Sequence, residues 1–214
     1  MPIAALLLAA GESRRMGRLK ALLPWPSQYG EGTTLLAHQI RALQEAGVDR
    51  VVVVLGHQAE RLRPVVEALQ QEGLSGVSWT ANPHYRQGKT TSIKAGLAAL
   101  ASEPLESDQG KAWDSLLILN VDQPRTADTL RHLLAQHRQG GSRITIPTYQ
   151  GKGGHPVILD AALRDELREI DEATEGLRAV VRRHQGSVRR VAVDTAEVLW
   201  DLNTPEQYRE AVRE

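Results

Sequence analysis

The chain of 214 residues contains no cysteine, which removes disulfides, thiolate metal sites and cysteine nucleophiles from consideration. It has no phenylalanine either, and aromatics make up only 4% of it, so the core must rest on Leu, Val, Ile and Ala. Neither sign of charge dominates, with 26 Lys and Arg against 26 Asp and Glu. Such a balance gives no broad attraction to nucleic acid or to an anionic membrane. No apolar run approaches the roughly 18 residues of a membrane span. Ile3–Ala10 is apolar and ends in small residues, but no Lys or Arg precedes it and the cations follow it, the reverse of a secretory leader. The expectation is a cytoplasmic protein with neither nucleic acid nor membrane as partner. Neither His-x-His nor His-Glu-x-x-His occurs, which argues against zinc.

What is present is a set of short branched-aliphatic runs, at Ile3–Ala10, Val51–Leu55 and Leu116–Leu119. Continuous runs of this kind read as strands buried on both faces of a mainly parallel sheet. Helical spacing separates them. Leu36, Ile40 and Leu43 repeat on one face, with Thr34 as cap and Gly47 as stop; Leu62, Val66 and Leu69 precede Gly73. Ile93, Leu97 and Leu100 follow a weaker strand at Val77–Ala81. Ser102–Lys111 and Gln139–Arg143 read as surface loops. Ile144–Pro147 and Pro156–Leu159 read as strands around a Gly-rich turn, Val188–Val193 as another strand and Pro205–Val212 as a closing helix. Strand and helix in alternation imply a doubly wound α/β layer with right-handed crossovers.

Ligands of open α/β sheets sit beyond the carboxyl ends of the strands, where the first strand delivers "GESRRMGRLK" (Gly11–Lys20). This is not a P-loop, since five residues separate Gly11 from Gly17 and Arg18 follows. Nor is it a dinucleotide fingerprint, which Glu12-Ser13 interrupts. "GKTTS" at Gly88–Ser92 imitates the end of a P-loop, but Pro83 stands where its first glycine belongs. Two readings of the loop remain: a solvated basic turn, or a glycine turn whose amides and cations wrap a polyphosphate. Asp122, after the "LLILNV" strand, reads equally as a metal ligand and as a turn aspartate ahead of Pro124. Asn82-Pro83 reads as a turn or as a base contact, and Asn203-Thr-Pro-Glu as a helix start or as part of a metal site.

Leu8-Ala9-Ala10-Gly11-x-Ser13-x-Arg15-Met16-Gly17-x-x-Lys20 resembles the signature loop of the MobA-like NTP transferases. Further segments are similar to that family in the same order: "NPHYRQGKTTSIKAGL" (Asn82–Leu97), "NVDQP" (Asn120–Pro124), "GKGGHPVIL" (Gly151–Leu159) and "DLNTPEQY" (Asp201–Tyr208). The Gly154-His155-Pro156 turn and the "LWDLNTP" ending resemble the cytidylyltransferase branch. Departures fall at Val121, Gln123, Lys89 and Asn203, where many members carry Gly, Met, a small residue or Met, and Asp.

The resemblance implies a three-layer, doubly wound, mainly parallel sheet of the nucleotide-diphospho-sugar transferase (GT-A-like) type. It implies a single domain over residues 1–214, with an NTP-binding half of about 1–125 and an acceptor-side half of about 126–214. The implied reaction moves a nucleoside monophosphate from an NTP, CTP favoured over GTP, to a phosphate-bearing acceptor, molybdopterin foremost, and releases pyrophosphate. Lys20, Arg15 and Asp122 are the implied catalytic residues, and Leu8, Ala9, Ala10, Gly11, Ser13, Asn82, Gly88 and Ser92 the nucleotide contacts. Gly154 and His155 face the acceptor, and Asp122 and Asn203, with Asp201 nearby, hold Mg²⁺. A molybdoenzyme or chaperone is an implied partner. Rival readings are transfer to a sugar or alditol phosphate, and a non-catalytic NTP-binding accessory module. A glycosyltransferase lacks support because no Asp-x-Asp stands at Asp122, and a dehydrogenase because the dinucleotide fingerprint is absent.

Overall fold

A computed structural model describes residues 2–102 and 113–213. The loop expected at Ser102–Lys111 lies outside the described residues except for Ser102, which closes a helix.

The strands and helices alternate through the first two-thirds of the chain: β1 (Ile3–Ala9), α1 (Leu35–Glu45), β2 (Arg50–Leu55), α2 (Ala59–Gln71), β3 (Val77–Ala81), α3 (Lys89–Ser102), β4 (Ser115–Asn120) and α4 (Ala127–Arg138). Then follow β5 (Ile144–Tyr149), β6 (Lys152–Gly153), β7 (Val157–Asp160), α5 (Arg164–Arg168), α6 (Leu177–Arg183), β8 (Val188–Ala192) and α7 (Pro205–Ala211). The described strands form one sheet in the order β3-β2-β1-β4-β7-β5-β6, with β8 beside β5. β3, β2, β1 and β4 run parallel, with Leu8 opposite both Val54 and Asn120. β7 then enters antiparallel to β4 and to β5, while β8 restores a parallel pair. The expected mainly parallel sheet therefore holds for the first half, and the second half is mixed.

Alternation along β1 shows why its residues are uniformly apolar. Ile3, Ala5, Leu7 and Ala9 pack against α1, α2 and α4 through Ile40, Leu43, Val66 and Leu130, among others. Ala4, Leu6 and Leu8 meet α3, α5 and α6 through Ile93, Leu97, Leu167 and Val180. Each face of the strand thus needs its own apolar set, since successive side chains point opposite ways. Helix α1 begins at Thr34, whose side chain accepts the Ala37 amide, as the sequence suggested. Helix α4 and the segment 161–187 carry no assignment in the sequence reading. α5 and α6 are only 5 and 7 residues long, too short for a repeating face to stand out. They join the apolar cluster on the second face of the sheet through Leu167 and Val180.

Candidate active site

The Gly11–Lys20 turn leaves β1 at the carboxyl edge and folds back on itself. The amides of Met16 and Gly17 donate to the Ser13 carbonyl at 3.0 and 3.1 Å. Ser13 and Gly17 both take positive φ, 53° and 69°, so glycine is required conformationally at Gly17. Gly11 has ordinary φ, and a Cβ there would meet nothing within 4 Å. Buried Met16 and Leu19 anchor the turn, and Ser13 Oγ accepts the Lys20 amide at 3.2 Å.

That anchoring carries Lys20 inward to 9% exposure. Its Nζ donates to Asp122 Oδ2 at 2.7 Å and to Asn203 Oδ1 at 2.8 Å. Asp122 stands one turn past β4, held by backbone bonds from Val121 N to Leu8 O and from Leu202 N to Asp122 O. Gln39 of α1, fully buried, donates its amide to Gln123 O at 2.7 Å. Gln123 itself turns its side chain inward to accept from Asn120 Nδ2 at 2.9 Å. The departure at Gln123 thus serves the turn, and Val121 is packed in the core. Asn203 precedes α7, where Thr204 and Gln207 form a reciprocal capping box. Helix start and oxygen donor coexist there: the cap holds the Asn203 backbone while its side chain reaches Lys20.

A cavity of about 1080 Å³ opens along this edge. The end of β1 at Leu8 and Ala9, then Ala10, Gly11, Ser13 and Arg15 of the turn, line it together with Gly88, Ser92, Asp122, Asp201 and Asn203. Gly154 and His155 line it too. One expected contact is placed elsewhere. Asn82 is 3% exposed and off the cavity wall; its Nδ2 donates to Thr91 Oγ1 and Ser92 Oγ, and its Oδ1 accepts the His84 amide. Its amide is committed to the joint between β3 and α3, so the turn reading replaces the base contact. Gly88, at φ 120°, lies against Glu172, whose carboxylate accepts the Thr90 amide at the start of α3.

A Cβ on Gly154 would sit 2.3 Å from the Val198 carbonyl, so only glycine fits. His155 donates its amide to that same carbonyl at 2.9 Å, and its peptide to Pro156 is cis. Burial, helped by the cations Arg125 and Lys89, pushes the His155 imidazole down to about 4, so the ring is neutral at pH 7. Arg178, Arg182 and Arg190 line the cavity as well. Arg182 pairs with Glu175 at 2.5 Å; among the described residues Arg178, Arg190 and Lys89 have no carboxylate partner. Sequence reading missed these cations, although Arg178 and Arg182 share a helix face at a spacing of four. On the outer side of the turn, Arg86 and Arg14 both bind Glu12, holding its carboxyl below the usual range.

The oxygens of Asp122 and Asn203 come from segments far apart in sequence and converge on one ammonium. Carboxylate plus carboxamide oxygen suits a hard divalent cation. Among the described residues no group of three or more His, Asp or Glu could form a full cage.

The model of the MobA-like NTP transferase domain matches residues 5–188. The molybdenum cofactor cytidylyltransferase of Escherichia coli is 27% identical over 207 residues, spanning 96% of this chain and 93% of the relative. The nicotine blue oxidoreductase of Paenarthrobacter nicotinovorans is 28% identical over 214 residues, spanning 96% and 94%. In fold, the chain is similar to the crystal structure of Rv0371c from Mycobacterium tuberculosis, with a TM-score of 0.75, 24% identity and 100% and 99% of the two chains covered.

Proposed function

Since the chain belongs to the MobA-like NTP transferase family, we propose that it transfers CMP from CTP to the phosphate of molybdopterin, with Mg²⁺ held by Asp122 and Asn203, and releases pyrophosphate. The observation that carries this reading is the meeting of Lys20, Asp122 and Asn203 within 2.8 Å at the carboxyl edge of β1 and β4. CTP and molybdopterin are favoured by full-length likeness to the cytidylyltransferase and by the Gly154-His155-Pro156 turn.

The cavity, at about 1080 Å³, exceeds the roughly 300–1,000 Å³ of a pocket for one small ligand. By this proposal it takes donor and acceptor side by side. In this reading the backbone of Leu8–Gly11 receives base and ribose, and the open space at Gly11 lets the phosphates approach. Arg15 and Lys20 neutralise charge as it grows on the pyrophosphate side. The acceptor phosphate is already an anion, so an oxygen of it attacks the α-phosphorus without a general base while the bond to pyrophosphate breaks. Arg178, Arg190 and Lys89 offset the repulsion between two anionic substrates. His155, neutral, adds no charge and can hydrogen-bond the acceptor. Asp122 and Asn203 would hold the divalent ion, which would supply charge neutralisation to the reacting phosphates.

The test is pyrophosphate release with Mg²⁺ and each of the four NTPs, with molybdopterin, metal-free or molybdenum-loaded, and with sugar phosphates. Release with CTP that depends on the pterin, and falls roughly 100-fold or more in Asp122→Ala and Lys20→Ala, is the expected result. Tight Mg²⁺–NTP binding without pterin-dependent release would overturn the acceptor, leaving a sugar phosphate or an accessory module.

A further inference from the structure

Arg125 lies three residues past Asp122 and is 1% exposed. Among the described residues no carboxylate pairs with its guanidinium directly. Nε donates to the His155 carbonyl at 2.8 Å, Nη1 to the Pro124 carbonyl at 2.6 Å, and Nη2 to the carbonyls of Val198 at 2.9 Å and Trp200 at 3.5 Å. Glu197, itself buried, turns its oxygens to Thr126 and supports the cation only through space. One planar fork therefore joins three segments: the turn carrying Asp122, the turn of Gly154 and His155, and the run leading to Asp201 and Asn203. Two further bonds complete the joint, from His155 N to Val198 O and from Leu202 N to Asp122 O.

Burying a charge on neutral carbonyls is a poor way to gain stability, because the desolvation cost offsets the bonds. An apolar side chain of similar volume would avoid burying the charge but would leave the carbonyls of Pro124, His155 and Trp200 without these donors. What a fork of five fixed donors supplies, and neither Lys nor an apolar residue can, is direction. We propose that Arg125 is the positioning residue of the transfer reaction: it sets where Asn203 and His155 stand relative to Asp122, acting through their backbones and touching no substrate. This rests on the nucleotidyl-transfer reading of the site.

The test compares full-length wild type with Arg125→Met and Arg125→Lys. Hydrogen exchange of assigned amides needs no substrate. In R125M the amides of His155 and Leu202 should exchange roughly 10- to 100-fold faster while those of β1, β2 and β4 keep their protection, a local opening rather than a global one. Mn²⁺ titrated with CTP present should bind roughly tenfold more weakly. The turnover number for pyrophosphate release should fall roughly 100-fold with the CTP dissociation constant little changed, and R125K should recover part of each loss. Unchanged exchange at His155 and Leu202, or faster exchange of every amide alike, would overturn the inference, as would local opening with unaltered turnover. Should R125M not fold, the same criteria apply to R125K against wild type. Failure of wild type to bind Mn²⁺–CTP would instead overturn the reading of the site, while the exchange result still decides whether Arg125 joins the three segments.

Discussion

Only 9% of Lys20 meets solvent, and its side-chain nitrogen faces the two oxygens proposed above to hold a divalent cation. Ammonium and metal therefore compete for Asp122 and Asn203 unless Lys20 turns towards bound phosphate. Lys20→Met should bind Mn²⁺ in the absence of nucleotide roughly tenfold or more tightly, because a charge within about 4 Å no longer repels the ion. The same variant should lose pyrophosphate release. Mn²⁺ titration followed by electron paramagnetic resonance reads the first effect, and equal affinity in variant and wild type would place the metal oxygens elsewhere. At this scale the sequence marked Lys20, Asp122 and Asn203, because their loops carry motif residues at fixed spacing. It misled at Asn82, since spacing does not reveal whether an amide faces the cavity or the helix joint behind it. It was silent on Arg125, three of whose four acceptors are carbonyls 30, 73 and 75 residues downstream.

Helix α3 shows how an element places the site. It starts at Lys89 beside the cavity, and its depth over the sheet is set by Gly96. A Cβ on Gly96 would lie 2.6 Å from Leu6 Cδ2 and 3.0 Å from Val54 Cγ2. Gly96→Ala should therefore push α3 away from β1 and β2 at a cost of about 1–3 kcal/mol, lowering the melting temperature by roughly 3–10 °C. Alanine's better helix propensity recovers at most about 1 kcal/mol of this. The check is a thermal melt of G96A beside Ala98→Gly, an exposed position of the same helix that reads propensity; a G96A melt at or above wild type would mean that Leu6 repacks freely. The apolar period of α3 was legible before its packing was known. The short α5 and α6 were not, because they are held by what they cover.

Across the whole molecule, three histidines are kept neutral by burial: His38 on α1, His137 on α4 and His155 at the cavity, each with its proton affinity lowered chiefly by desolvation. For His155 the folded value is about 4 against an ordinary 6.5. Between those values the unfolded chain takes up a proton that the folded chain refuses, so acid favours unfolding. The stability tied to the neutral ring is complete above about 6.5 and is lost as pH falls towards about 4. Denaturant unfolding at pH 7.5, 5.5 and 4.5 should show this decline, and His155→Gln should reduce it. A decline as steep in the variant would assign the effect to His38 and His137.

By itself the sequence determined the layers, since strands buried on both faces must be apolar throughout and helices between them must carry one apolar stripe. It also marked the loops that line the cavity, because a glycine turn followed by cations, and an acidic turn after a central strand, are local patterns. Only the tertiary structure decided that the second half of the sheet is mixed, that α6 brings Arg178 and Arg182 to the cavity, and that Arg125 joins the turns around Asp122. The physical reason is range. Periodicity and capping are settled within one or two helical turns, whereas a hydrogen bond to a distant carbonyl, or a cation with no partner of its own, has meaning only once the chain has closed on itself.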